Sequence, residues 1–367
     1  MLTLQSLSPR VRFFLPALAL LFLATPTSAQ SSRQQKLLLK KEEQLVQTAK
    51  SRDTAFQALL LEYQTQESAY KKSPRTDLNF ETWWNTKGYA ESKIAKNFQR
   101  ATASLEDAFF SLEKLRHPER FEPGFDTAPQ GMALIPEGKY AIGPHSGLTD
   151  GFRYAEKEKN VKVQSFYLDK EEVSNLDYWQ FLLALPEGIR LQHLPLNWHL
   201  EADGSPTIPS GTESFAVTGV GWASANRYAK WAGKRLPTEM EWESAARGPQ
   251  KFAYPFGNTM VSGRIHCKES NEGHATETEQ WREDRTPLGI FGLAGNAREW
   301  TADLYLLSTD GGKAKLLKTP RPFAVAITRG GSFRDPASMC TSTFRWAYPV
   351  FGTELAHVGF RCARDLK

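Results

Sequence analysis

The stretch Arg329-Gly-Gly-Ser-Phe-Arg-Asp-Pro-Ala-Ser-Met-Cys340 organises the reading of this chain. Ahead of it runs Ala324-Val-Ala-Ile-Thr328, a strand-like segment. The run meets two consecutive glycines, Gly330 and Gly331, where the backbone is free to take positive φ or to approach a neighbour closely. Past the turn stand a hydroxyl at Ser332, a carboxylate at Asp335 and a lone thiol at Cys340. These are the candidate reactive groups.

At 367 residues and 40% hydrophobic, with ten tryptophans, the chain is long enough for one large domain plus an accessory segment. Its net charge of +5 is dispersed, with no basic stripe interleaved with aromatics, so nucleic acid is not the expected partner. Residues 1–29 read as an export signal: Arg10 and Arg12 flank an apolar run from Phe13 to Ala24, and Thr27-Ser-Ala29 forms a small-residue cleavage site. The alternative, a membrane anchor, needs about 20 apolar residues. No cysteine stands at the expected cut, which argues against a lipid anchor. Export, with the bacterial periplasm as destination, is the expectation. Cys267, Cys340 and Cys362 then meet an oxidising compartment, and three cysteines allow at most one internal disulfide, whose pairing the sequence leaves open.

Residues 31–117 read as an α-helical hairpin. Ala49, Phe56, Tyr63 and Tyr70 recur every seven residues. Ile94, Phe98, Ala101, Leu105, Ala108, Leu112 and Leu115 alternate spacings of four and three, which places them on one coiled-coil stripe. Pro74, within the polar stretch 71–79, supplies the turn. Two roles stay open for the hairpin: an arm for a partner or for self-association, or a unit packed on its own C-terminal domain. A Pro-containing linker, 118–130, leads to a domain over 131–367. There Met132–Gly143 reads as a strand pair around a Glu-Gly turn, and Val161–Asp169 as a further strand. Helices are expected from Ser174, over Asn226–Gly233 and over Glu239–Arg247, the last with Thr238 and Glu241 as a capping box. Beyond Gly248 the chain reads as loop-rich. Few helices, short strands and much irregular chain make the class α+β.

Five segments in order carry a resemblance to a known family: Leu168–Phe181 with its Glu-Val-Ser-Asn core, Val220–Glu243, Phe291–Asp303 with Gly-Asn-x-x-Glu-Trp, Arg329–Cys340, and Gly359-Phe-Arg-Cys-Ala363. Together they resemble the formylglycine-generating enzymes, or sulfatase-modifying factors. The resemblance covers 131–364 and implies a C-type-lectin-like fold; it says nothing about 31–117. It also implies a pair of cysteines, five residues apart, that binds copper and oxidises a substrate cysteine. Here the second falls on Cys340 and the first on Asp335, so the chain resembles a divergent member lacking half of the reactive pair. The resemblance further implies a structural calcium held by Asn296 and Glu299, both hard oxygen donors. The alternative at that turn is a hydrogen-bonded pair without metal.

Copper(I) favours soft thiolates, and a carboxylate at 335 does not support the same two-thiolate site. Iron held by a histidine cluster, as in the related sulfoxide synthases, is disfavoured because 31–116 contain no histidine and none of the seven histidines lies at metal-ligand spacing. Cys340 is expected to be inert or disulfide-bonded rather than catalytic. The expected function is an exported, non-catalytic binding or regulatory protein with a protein partner such as a membrane-protein ectodomain. Within the family, a periplasmic regulator of kinase signalling in type VI secretion is one example. The alternative is a divergent metal-dependent oxidase or a siderophore-maturation-type enzyme.

Overall fold

The computed structural model describes residues 32–73, 91–118, 129–144, 158–185, 187–306, 315–317, 324–350 and 353–366. The expected signal at 1–29, most of the hairpin turn and most of the 118–130 linker lie outside the described residues. The chain falls into two compact units, divided between Phe121 and Glu122.

The first unit holds α1 (Ser32–Lys72) and α2 (Lys93–Arg116), which pack against each other. Ser92 caps α2 by accepting from the Ala95 amide at 2.9 Å. On α2 the stripe forms as its spacing requires, with Phe98, Leu105, Ala108 and Leu112 buried. On α1, Ala49, Tyr63 and Tyr70 are half-buried or buried, but they share the seam with a second line, Leu45, Arg52 and Leu59, also seven apart. A charged residue in that line masks it in the sequence. Arg52 lies against the Phe98 ring, 5.2 Å from its centroid. Arg116 Nη2 meets Glu42 Oε1 at 3.0 Å, joining the end of α2 to the start of α1, so the helices run antiparallel.

In the second unit, β1 (Met132–Ile135), β4 (Phe166–Asp169) and β12 (Ala363–Asp365) form one antiparallel sheet in the order β1-β4-β12. A larger sheet runs β10 (Arg345–Pro349), β9 (Ala324–Arg329), β7 (Arg298–Leu306), β11 (Val358–Gly359), with β8 (Lys315–Leu317) on β7. Two ribbons, β2 (Gly138–Ile142) with β3 (Lys159–Val163) and β5 (His199–Leu200) with β6 (Pro206–Thr207), complete the strands. The helices that matter for the site are α3 (Asn175–Ala184), α4 (Trp222–Trp231) and α5 (Glu239–Arg247). Trp242 of α5 is fully buried, in one hydrophobic cluster with Ile135, Phe166, Leu168 and Leu293.

Several elements differ in detail from their sequence reading. The two strands of Met132–Gly143 form but do not pair with each other: β1 pairs with β4 and β2 with β3. The run Val161–Asp169 is accordingly two strands, broken at Gln164 and Ser165, and Ser165 Oγ accepts from the Glu137 amide at 2.9 Å to hold the two breaks together. Helix α4 starts four residues earlier than Asn226, with Gly221 as its N-cap, and ends before Gly233, whose φ of 70° is left-handed. The stretch read as loop-rich contains β7, nine residues long. Its pairing with β9 shifts register between Trp300 and Leu304, and that irregularity breaks the alternation by which a strand is recognised. The Thr238 capping box opens α5 as expected.

Candidate functional site

Strand β9, flanked by β10 and β7 in the larger sheet, ends at the double glycine. Gly330 has φ +72°, and a Cβ on Gly331 would lie 2.4 Å from Cys340 Sγ and 2.9 Å from the Ala294 carbonyl oxygen. One glycine is there for its dihedral, the other for the close approach. The turn that follows closes on itself: the Asp335 amide donates to the Ser332 carbonyl at 2.9 Å, and Ser332 Oγ donates to Asp335 Oδ2 at 2.5 Å.

Opposite the turn, β7 contributes Arg298. Its Nε donates to Asp335 Oδ2 at 2.9 Å and its Nη2 to Oδ1 at 2.5 Å, a two-pronged pair with both side chains largely buried. Burial pushes the Asp335 carboxyl up, but Arg298 and then Ser332 outweigh it and hold the group below its ordinary range. Arg298 Nη1 reaches the Tyr348 hydroxyl at 3.3 Å, and its guanidinium lies 4.7 Å from the Phe344 ring centroid. The carboxylate at the first cysteine position is therefore ionised and fully engaged.

Cys340 is wholly buried. Its Sγ lies 3.6 Å from the Pro336 carbonyl oxygen and 4.0 Å from that of Asp335. Burial, then the neighbouring Cys267 and Asp335, pushes its thiol well above the usual range, so it keeps its proton at neutral pH. His357, nearby, hydrogen-bonds the Tyr348 hydroxyl at 3.2 Å. Burial, followed by Arg298, lowers its pKa to about 4. All three cysteines are free thiols and buried.

The expected calcium donors lie at the entry to β7. Asn296 has φ 64°; its Oδ1 accepts from the Thr276 amide at 2.9 Å and pairs with His266 Nδ1 at 2.9 Å, while its Nδ2 donates to Glu172 Oε1 at 3.1 Å. Glu299 is fully buried. Arg361 Nε and Nη2 donate to its two oxygens at 2.8 Å each, and Trp242 Nε1 donates to Oε2 at 2.8 Å. Arg361 also donates to the carbonyls of Asp169, Lys170 and Phe291 at 3.2, 3.1 and 2.7 Å. A guanidinium thus sits in a cage of carboxylate and carbonyl oxygens, the donor set that calcium takes. As the side chains stand, Asn296 and Glu299 offer no vacant oxygen, and the pair does not fit a calcium ion. Among the described residues no three His, Cys, Asp or Glu side chains converge so as to hold a metal.

The sequence reading named Ser332, Asp335, Cys340, Asn296 and Glu299. The structure brings the first three into one turn and adds two arginines that were missed. Arg298 fills a variable place inside Gly-Asn-x-x-Glu-Trp, and Arg361 lies within Gly-Phe-Arg-Cys. Their signal was a basic residue inside a short motif whose other residues are bound for the core.

An irregular α+β domain with a glycine-built turn beside a long central strand is the class these features define. The chain belongs to the sulfatase-modifying factor enzyme 1-like domain family, matched over residues 119–366. It is 27% identical over 288 residues to a formylglycine-generating enzyme of Thermomonospora curvata, covering 64% of this chain and 94% of that one. It is 28% identical over 260 residues to the serine/threonine-protein kinase pkn1 of Chlamydia pneumoniae, 68% of this chain but 40% of the kinase. In fold it is similar to PvdO from Pseudomonas aeruginosa, with a TM-score of 0.51 at 18% identity over 67% of this chain and 99% of that one.

Proposed function

We propose that this chain is an exported, non-catalytic binding or regulatory protein, in which a formylglycine-generating-enzyme-like domain serves as a recognition surface. The observation that carries the reading is the Arg298–Asp335 pair at the first cysteine position, with Cys340 buried and protonated behind it. Two thiolates close together are what the copper chemistry of such enzymes demands, and a carboxylate neutralised by a guanidinium is neither soft nor available. In the same reading Arg361 takes the stabilising role expected of calcium. The partner is a protein, such as the ectodomain of a periplasmic or membrane protein. The match to part of a serine/threonine-protein kinase supports a place beside kinase signalling, of which regulation of a type VI secretion kinase is one form. The helical hairpin supplies a second contact, to that partner or to another copy.

The test has two arms. Purified protein is incubated with copper, oxygen and a cysteine-bearing sulfatase peptide, and the peptide mass is followed. No conversion to the aldehyde is expected; turnover with Asp335 in place makes the protein an oxidase and ends the proposal. In parallel, full-length and hairpin-deleted baits are used to capture partners from a periplasmic extract. Loss of capture on deletion is expected of a contact-making hairpin.

A further inference from the structure

Two of the three cysteines lie in one place. Cys267 and Cys340 share a small apolar cluster with Ile265 and Ala294, flanked by Phe256, Met260 and Ala337. The backbone brings them there. The Asp335 carbonyl oxygen accepts from the Lys268 amide at 2.9 Å and lies 4.0 Å from Cys340 Sγ, so one oxygen separates the chain at Cys267 from the second sulfur. Glu269 ties the same segments again, its Oε2 accepting from the Ala337 amide at 3.1 Å. Cys362 lies elsewhere, its amide donating to Asp169 Oδ2 at 3.0 Å.

We infer that Cys267 and Cys340 form a disulfide when the protein meets a disulfide oxidant, leaving Cys362 as the free thiol. Disulfides need Cα atoms within roughly 4.4–6.8 Å; the two thiols start in one cluster, with the Asp335 carbonyl oxygen touching both the Lys268 amide and the Cys340 sulfur, so closing the bond calls for local movement of these two segments. The reaction is thiol–disulfide exchange. Cys267 as thiolate attacks one sulfur of oxidised glutathione, breaking its S–S bond and releasing one glutathione thiolate. Cys340 then attacks the Cys267 sulfur, expelling the second. Two electrons and two thiol protons pass to the oxidant, which leaves as two glutathione thiols. The first attack falls to Cys267, the less buried of the pair, since Cys340 is wholly enclosed. Burial, then Glu269, raises the Cys267 thiol to about 11, so exchange is slow at neutral pH and faster in alkali. The bridge staples the loop at 267 to the turn carrying Asp335. It rests on the export reading only for its oxidant in the cell; the test in solution is independent of that reading.

Protein is equilibrated with oxidised and reduced glutathione, denatured, alkylated and mapped by peptide mass, beside a sample treated with dithiothreitol. The expected result is one alkylated thiol, Cys362, and a linked peptide pair containing Cys267 and Cys340, against three alkylated thiols after reduction. Cys267→Ser is expected to leave Cys340 alkylatable. The wild-type map decides by itself if that variant does not fold. Three free thiols after oxidation, glutathione adducts alone, or a link that includes Cys362 would overturn the assignment.

Discussion

Arg298 and Asp335 show how one buried charge demands another. A carboxylate buried in this turn must be desolvated, and only a close cation offsets that cost. Removing one partner leaves the other buried and unpaired. Asp335→Ala is expected to destabilise the C-terminal unit by about 3–5 kcal/mol, the usual cost of breaking a buried pair. The double variant Asp335→Ala with Arg298→Met should recover most of that loss, because both charges leave together. Urea unfolding of Asp335→Ala, Arg298→Met and the double variant closes the cycle; a double-variant loss equal to the sum of the two single losses would mean that the pair is not coupled. Asp335→Cys on its own is not expected to confer oxidase activity, since it leaves an unpaired guanidinium beside the new thiol. At the second arginine the expectation concerns metal. Arg361 satisfies all five of its N–H donors on oxygens, so chelation with EDTA should leave the melting temperature unchanged, and metal analysis should find calcium well below one equivalent. A fall of several degrees on chelation, reversed by calcium, would show that an ion takes the place assigned to the guanidinium.

Elements differed in how openly the sequence declared them. Helix α5 was legible because a capping box and an amphipathic face agree locally, and the α2 stripe because its apolar spacing is uninterrupted. Strand β7 was not, since its register shift against β9 removes the alternation and its buried polar residues, Arg298, Glu299 and Thr301, find partners only in three dimensions. The candidate site divided along the same line. Ser332, Asp335 and Cys340 lie within nine residues and were readable as a set, whereas Asp335's partner stands 37 residues away and Glu299's stands 62. Long-range pairing of charges leaves no period to read. The turn between β9 and the site carries its own prediction. In Gly331→Ala the new methyl would lie 2.4 Å from Cys340 Sγ with the Ala294 carbonyl oxygen at 2.9 Å, so either the sulfur or a strand must move. Overpacking of this kind costs about 1–3 kcal/mol. A thermal melt of Gly331→Ala should show that loss, and Cys340→Ala in the same background should relieve part of it by clearing the contact.

The second unit as a whole is built around buried charge, and that makes its stability depend on pH with a definite sign. Glu172, fully buried, is raised to about 8, chiefly by burial, with Arg361 opposing and the nearby Glu299 adding to the rise. Asp284 is raised to about 7 by burial, against the Gly295 and Ala294 amides that donate to it. Each holds its proton in the folded state at a pH where the unfolded chain has released it. Their contribution is therefore fully present below about pH 4, and it is lost as pH rises through about 7 and 8. His357 acts in the opposite direction. Its folded pKa of about 4 lies below the ordinary 6.5, so its contribution is full above 6.5 and lost as pH falls through 4. Above pH 6.5 the His357 contribution is already full and adds no slope, so Glu172 and Asp284 give a decline in stability from there into mildly alkaline solution. Glu172→Gln, which mimics the protonated carboxyl, should flatten that decline, raising the melting temperature at pH 8 relative to wild type while changing it little at pH 5. The profile of melting temperature against pH for the two proteins is the measurement. Parallel profiles would mean that Glu172 is ionised in the fold, and the charge balance around Arg361 would then have to include a second carboxylate.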